Sequence, residues 1–138
     1  MSPLVGYVPG VYDLFHIGHL NALHQARALC DVLVAGVVSD EVCEQVKGLR
    51  PFVPLEERLA IVDAIGIVDA TYAELTTDKL DAWREVGFHR VFKGDDWRDT
   101  PRGLELEHRV GSVGAEVVYF PYTAHTSSTQ LRRVIAAS

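Results

Sequence analysis

The chain lacks several features that would point to particular classes of protein. It has only two cysteines, Cys30 and Cys43, whose spacing fits neither a zinc site nor a disulfide framework. Its longest apolar stretches, such as Val32 to Val38, are far shorter than the roughly 20 residues of a membrane-spanning helix. Because the N-terminal residues also lack a basic segment and a cleavage site, we expect a cytoplasmic protein.

Positive charge is scarce as well. The 138 residues include 19 acids and 13 lysines and arginines, a net charge of -6. Binding along a nucleic acid backbone requires a basic face, so the charge argues against a general nucleic acid binder, and we expect any phosphate to be bound locally. With 48% hydrophobic residues and no repeats or biased runs, we expect one domain over residues 1–138.

Short apolar segments alternate with amphipathic ones along the chain. The pattern predicts strands at Leu4–Pro9, Val32–Val38, Ile67–Tyr72, Arg90–Lys93 and Glu116–Phe120. It predicts helices at Ile17–Leu29, from Ser39 to about Val46, Pro54–Ile65, Asp78–Val86, Leu104–Val113 and Ser128–Ala136. This alternation indicates an α/β fold, a Rossmann-like doubly wound parallel sheet of about five strands with helices on both faces. Ligands of such sheets bind at the carboxyl ends of the strands.

The first strand-to-helix loop carries the strongest functional signal. Gly10 permits a tight turn, and the helix that follows offers an N-terminus with positive potential for a phosphate. His16 and His19 are three residues apart in the first helical turn, so both rings lie on one face and can donate to one anion. Gly18 removes a side chain where a nucleotide packs closely. For a lone histidine a core or capping role would be the better interpretation, but these histidines form a pair.

The segment Gly10-Val11-Tyr12-Asp13-Leu14-Phe15-His16-Ile17-Gly18-His19 resembles the opening motif of the HxGH nucleotidyltransferase superfamily, and in particular its cytidylyltransferases. The family's usual opening, Gly-Thr-Phe-Asp, is Gly-Val-Tyr-Asp here. The resemblance implies catalytic roles for His16 and His19. It also implies nucleotide contacts from four residues of this segment: Gly10, Val11, Tyr12 and Gly18.

Three further residues and one segment also match the family. The resemblance implies that Lys47 and Arg58 bind phosphates, whereas their alternatives are a solvated loop lysine and a surface arginine paired with glutamates. Lys93-Gly94-Asp95-Asp96-Trp97 resembles the form of the motif found in glycerol-3-phosphate cytidylyltransferases, and Asp95 would help to fix the nucleotide or a metal. The alternative there is a simple turn above Trp97. Lys79 corresponds to acceptor-side residues of the family.

The last motif precedes the final helix and would otherwise be only a helix cap. Its residues Thr123, Ser127, Ser128 and Thr129 match the family's Arg-Thr-x-Gly-Ile-Ser-Thr-Thr by type and are expected to bind the nucleotide. Tyr122 and His125 replace the family's arginine and glycine, and we expect both near the acceptor. The missing guanidinium leaves His125, Arg102 or Arg132 as candidate replacements.

The resemblance implies transfer of a cytidylyl group from CTP, with Mg²⁺, to a phosphorylated small alcohol, of which glycerol 3-phosphate is the leading choice. Ethanolamine phosphate, a polyol phosphate or a phosphonate are alternative acceptors, and Asp13 is the candidate metal ligand. An adenylyltransferase on the same fold and a non-catalytic nucleotide-binding regulatory module remain open. Because related small enzymes are usually dimers, we expect a homodimer.

Overall fold

The computed structural model describes residues 2–121 and 127–137. Its strands are β1 (Val5–Gly10), β2 (Val32–Val38), β3 (Ala70–Glu74), β4 (Arg90–Gly94) and β5 (Glu116–Phe120). Its helices are α1 (Ile17–Arg27), α2 (Asp40–Lys47), α3 (Leu55–Asp63), α4 (Lys79–Val86), α5 (Pro101–Gly111) and α6 (Ser128–Ala137). A 3₁₀ turn, Asp95–Trp97, follows β4. Among the described residues, no helix is long and apolar enough to cross a membrane.

Polar side chains set where the helices begin. The Ser39 hydroxyl accepts a hydrogen bond from the Val42 amide at the start of α2, and Asp78 accepts one from Leu80 at the start of α4. Thr100 caps α5 in the same way. Each of these caps satisfies an amide that has no partner within its own helix, which fixes the residue at which the chain leaves the strand-to-helix loop.

The five strands form one parallel sheet in the order β3-β2-β1-β4-β5. The chain builds outward from β1 to β3, then returns to the other side of β1 for β4 and β5, so the switch point lies between β1 and β4. Pairing there is short: Gly6 pairs with Arg90 and Tyr7 with Val91, whereas β1 pairs with β2 along its full length. The carboxyl ends of β1 and β4 therefore leave a cleft of the kind that binds ligands in open α/β sheets.

Alternate residues of the strands supply two separate cores. Val8 and Leu33 face one side of the sheet with Leu23 of α1 and other apolar residues of α1 and α3. Tyr7 and Val34 face the other side with apolar residues of α4 and α5. This arrangement confirms the predicted parallel sheet of five strands with helices on both faces.

Most of the predicted elements are observed within a few residues of their expected bounds, and β3 shows the largest shift among the strands. Its pairing with β2 begins at Ala70 rather than at Ile67. Ile67 and Val68 pack against the core before the strand pairs, and the Val68 amide donates to Ile65 in a turn. Apolar character predicts their burial but not the residue at which hydrogen bonding to β2 begins.

Candidate functional site

A cavity of about 920 Å³ occupies the cleft at the switch point. Residues from the ends of β1 and β4, from the loop after β1, and from α1, α2 and α6 line it. Ten of the predicted ligand-contact residues lie along this cavity: Gly10, Val11, Tyr12, His16, Gly18, His19, Lys47, Ser127, Ser128 and Thr129. The fold thus gathers them around one space, while their contacts with a ligand stay predictions.

The two histidines cap α1 reciprocally. His16 is the N-cap residue, and its Nδ1 accepts a hydrogen bond from the Gly18 amide at 3.0 Å. His19 Nδ1 accepts from the His16 amide at 3.1 Å. This is a capping box in which imidazoles replace the usual hydroxyl and carboxylate side chains. The cap holds the two ring centroids 4.0 Å apart.

The cap also fixes the tautomer of both rings. Because each Nδ1 accepts a hydrogen bond from an amide, the proton of each neutral imidazole lies on Nε2. The Ser128 hydroxyl donates to the Asp13 carbonyl at 2.8 Å, so its oxygen accepts from His16 Nε2–H at 3.2 Å. Burial, helped by the charges of His16 and Lys47 and opposed by Asp13, lowers the pKa of His19 to about 4. Burial also lowers the pKa of His16, so both rings are neutral N–H donors at neutral pH.

Asp13 anchors the loop after β1. Its side chain is buried, and its oxygens accept from the Phe52 amide at 2.8 Å and the Val53 amide at 2.9 Å. Arg132 of α6 donates to the same carboxylate at 2.6 Å. These three donors take up most of the lone pairs of the carboxylate, and metal binding by Asp13 stays a prediction. No group of three or more candidate metal-ligating side chains occurs in the part of the chain that is described.

Arg58 has a different position from the one predicted. Its side chain is fully buried and does not line the cavity. The guanidinium donates to the Val53, Val11 and Val38 carbonyls, each at 2.7 Å, and to Asp40 at 2.6 Å. Direct contact with a phosphate would break these bonds, so the phosphate-binding role of Arg58 stays a prediction that this position does not support. Arg58 instead joins the end of β2, the loop after β1 and the start of α2.

The loop that Arg58 and Asp13 hold is strained. Tyr12 has a φ of 57° and Leu14 a φ of 53°, a left-handed conformation that non-glycine residues seldom adopt. The buried Tyr12 side chain supports the turn by donating its hydroxyl to the Val8 carbonyl at 2.8 Å. Strain of this kind persists only where surrounding contacts overdetermine the backbone, and it is concentrated at functional sites.

Other predicted residues lie apart from the main cavity or outside the described part. Asp95 is exposed and does not line the cavity, so the structure gives no support for a nucleotide or metal contact from its carboxylate. Lys79 lines a second, smaller cavity. The predicted roles of Tyr122, Thr123 and His125 fall outside the described residues. Of the proposed replacements for the family arginine, Arg132 lines the main cavity and Arg102 the second one.

Lys93 also lines the main cavity, although the sequence did not predict a role for it. It lies at the end of β4, and its Nζ is 3.8 Å from the centroid of the Trp97 ring. Burial, with the charges of Lys79, Lys47 and Arg102, lowers the pKa of Lys93 to about 7, while Glu74 opposes the shift. Its place at the carboxyl end of a predicted strand is the signal that could have identified it.

We expect the stability of the protein to fall on acidification because His19 is neutral when folded. The pKa of His19 is about 4 in the folded state, against an ordinary value of 6.5 when unfolded. Between these pH values the unfolded chain binds more protons, so the free energy of unfolding decreases as the pH falls through this window. His19→Gln keeps a capping residue without a titrating ring. Between pH 7 and pH 5 its urea-unfolding free energy should fall by about 1 to 2 kcal/mol less than that of the wild type. Equal losses in both proteins would contradict a neutral, buried His19.

Comparison with known proteins agrees with this geometry. Ethanolamine-phosphate cytidylyltransferase of Arabidopsis thaliana is 41% identical over 109 residues, which are 75% of this chain but only 26% of that protein. FAD synthase of Thermococcus onnurineus is 32% identical over 127 residues, 91% of this chain and 85% of that protein.

A solved structure shares the fold. The lipopolysaccharide core biosynthesis protein of Thermoplasma volcanium matches with a TM-score of 0.76 at 23% identity, covering 91% of this chain and all of that one. The family described as cytidylyltransferase-like matches residues 7–134. This range includes both histidines of the cap, the strained loop and all five strands except the first two residues of β1. With nearly the whole chain matched, this protein belongs to the cytidylyltransferase-like family.

Proposed function

We propose that the chain transfers a cytidylyl group from CTP to a phosphorylated small alcohol and releases pyrophosphate. The observation that carries the proposal is the reciprocal cap, which leaves a proton on Nε2 of two adjacent imidazoles beside the cavity. The His16 Nε2–H, which donates to the Ser128 hydroxyl at 3.2 Å, would exchange this neutral partner for the phosphate. Membership of the cytidylyltransferase-like family supports nucleotidyl transfer as the reaction class.

The reaction needs positioned donors more than it needs a base. A phosphate monoester has a second pKa of about 6 and is largely dianionic at neutral pH, so it can attack without losing a proton to the protein. One of its oxygens forms a bond to the α-phosphorus of CTP while the bond to the bridging α–β oxygen breaks. Pyrophosphate then leaves with that electron pair. Catalysis consists of aligning these anions and stabilising the charge that develops on them.

The cavity residues suit these tasks. His16 and His19 donate Nε2–H groups to the α-phosphate, while Lys47 contacts the β- and γ-phosphates or the acceptor phosphate. Neutral imidazoles serve as hydrogen-bond donors without holding a proton that the reaction would have to displace. Gly10, Val11 and Tyr12 contact the nucleotide through their backbone. Arg58 acts indirectly, by holding the carbonyl of Val11 in this loop.

Mg²⁺ accompanies CTP in this proposal. The triphosphate of CTP would hold the ion, since three hydrogen-bond donors already take up most of the lone pairs of Asp13. The ion would supply charge neutralisation of the phosphates. The protein's own residues supply orientation of the α-phosphate and exclusion of water.

Glycerol 3-phosphate is the acceptor that we propose, on the resemblance of the segment around Gly94-Asp95-Asp96-Trp97. Ethanolamine phosphate is an alternative supported by the name of the Arabidopsis relative. A polyol phosphate or a phosphonate are further alternatives. A cytoplasmic homodimer stays a prediction.

Transfer of an adenylyl group from ATP is the second candidate function. The observation that favours it is the length of the match to the relative named FAD synthase, of which this chain covers 85%. The same donors would serve either nucleotide, because they act on the phosphates and not on the base.

A panel of substrates tests the proposed function. Pyrophosphate release should be fastest with CTP and glycerol 3-phosphate, with a kcat/KM at least about 100-fold above that of ATP with any acceptor. The assay crosses CTP and ATP with a series of phosphorylated alcohols in the presence of Mg²⁺. Turnover with ATP alone would replace the proposal by adenylyl transfer. Tight CTP binding without pyrophosphate release on any acceptor would favour a regulatory module.

Substitutions that preserve the cap test the roles of the histidines. Serine is a good N-cap residue, and glutamate at the third helical position completes the usual capping box. His16→Ser and His19→Glu should therefore remove the N–H donors while keeping the helix start. We expect each to lower kcat by about 10²- to 10³-fold, the loss typical of one transition-state donor. The midpoint of unfolding at pH 7 serves as the control and should change little. A near-normal kcat in either variant would rule out that donor role.

A further inference from the structure

A second cavity, of about 400 Å³, has Trp97 in its lining. Trp97 lines both cavities, so its indole forms a wall that they share. The remaining polar lining comes from the start of α4 and from α5: Thr77, Asp78, Lys79, Arg102, Glu105 and Arg109. A ligand that begins in the main cavity can therefore extend past this indole into a small polar space.

Two cations of the protein lie against the Trp97 ring. Lys93 Nζ, in the main cavity, is 3.8 Å from the ring centroid, and Arg102 Cζ, in the second cavity, is 4.3 Å from it. Attraction between a cation and the π-face favours both positions. The Trp97 ring thus makes cation–π contacts with one side chain from each cavity.

The positive charge around this wall is larger than these two groups. Lys79, Lys47 and Arg102 all act on Lys93 strongly enough to lower its pKa, after the larger effect of its burial. Glu74 offsets part of this charge, since its buried carboxylate accepts from Lys79 Nζ at 2.7 Å and from the Tyr7 hydroxyl. Converging ammonium and guanidinium groups repel one another until a dianion lies between them. A phosphate monoester supplies that charge.

The second cavity also has acceptors for hydroxyl groups. Asp78 is held by Arg109, whose Nη2 lies 2.8 Å from each carboxylate oxygen. Glu105 takes part in none of the ion pairs found among residues 2–121 and 127–137. Carboxylates accept hydrogen bonds from sugar or polyol hydroxyls, while arginine and lysine donate to them.

We propose that Lys93, Trp97 and Arg102 form the acceptor subsite. The charge of Arg102, together with that of Lys93 once the acceptor phosphate lies beside it, selects a phosphorylated polyol over a phosphorylated amino alcohol. The acceptor phosphate lies on the main-cavity side, near Lys93 and Lys47, and its hydroxylated tail extends past Trp97. This inference rests on the proposed function and specifies the class of acceptor.

An ammonium tail would meet like charge at this wall. The Trp97 ring, which would attract a cation, already has Lys93 and Arg102 against it. Repulsion between unit charges at about 4 Å, even when partly screened by water, weakens binding by about tenfold or more. A neutral hydroxyl tail avoids this penalty and gains hydrogen bonds.

The test compares two acceptors and two arginines. Arg102→Gln and Arg102→Glu change the exposed charge of the subsite. Arg98→Gln is the matched control, because Arg98 is also exposed and lies against an aromatic ring, with Cζ 4.9 Å from the Tyr119 centroid, but lines neither cavity. KM and kcat are measured for glycerol 3-phosphate and for ethanolamine phosphate at saturating CTP.

We expect the wild type to prefer glycerol 3-phosphate by about 100-fold in kcat/KM. Arg102→Gln should raise the KM for glycerol 3-phosphate about tenfold while leaving the KM for CTP unchanged. Arg102→Glu should in addition raise kcat/KM for ethanolamine phosphate, and Arg98→Gln should resemble the wild type. Equal use of both acceptors by the wild type, or equal effects of Arg102→Gln and Arg98→Gln, would overturn the proposal.

Binding without nucleotide separates this inference from the proposed function. If no acceptor gives pyrophosphate with CTP, the proposed function is wrong, and the subsite is then judged by calorimetric titration with glycerol 3-phosphate alone. A Kd weakened about tenfold by Arg102→Gln but not by Arg98→Gln would support the subsite. Equal Kd values, or no binding to the wild type, would refute it.

Discussion

The reciprocal cap of α1 is the interaction on which the rest of the site depends. Two backbone amides that have no partner within the helix are satisfied by the Nδ1 atoms of His16 and His19. The same pair of hydrogen bonds starts the helix, brings the rings together and leaves each proton on Nε2. A side chain that caps through a hydroxyl or carboxylate would start the helix equally well but would leave no such N–H groups. Helix formation and the chemistry of the site are thus one arrangement.

Two buried charged residues keep this arrangement in place. Arg58 and Asp13 are both nearly inaccessible to solvent, and most of their hydrogen bonds go to backbone groups of neighbouring loops. They join the loop after β1 to the segment before α3 and, through Arg132, to α6. Buried polar networks of this kind rigidify a structure when every member is satisfied. Here they fix a loop that contains two left-handed non-glycine residues.

The sheet and the position of the site could be predicted because both follow from local pattern. Val32–Val38 reads as a buried strand and is one, and His16 and His19 follow β1 where parallel sheets bind ligands. The contacts of Arg58 and Asp13 could not be predicted, because residue type does not reveal whether a charged side chain bonds to backbone groups or to a ligand. Lys93 was missed because its environment is made by Trp97, Lys79 and Arg102, from separate segments that only the fold brings together.

The tautomers of His16 and His19 test the reciprocal cap most directly. Two-dimensional nitrogen–proton NMR of the ring atoms, recorded through a pH titration, distinguishes Nε2–H, Nδ1–H and doubly protonated imidazoles. Both residues should have neutral Nε2–H rings at pH 7, and His19 should gain its second proton only near a pKa of about 4. Nδ1–H tautomers, or a His19 that titrates near the ordinary histidine pKa, would contradict it.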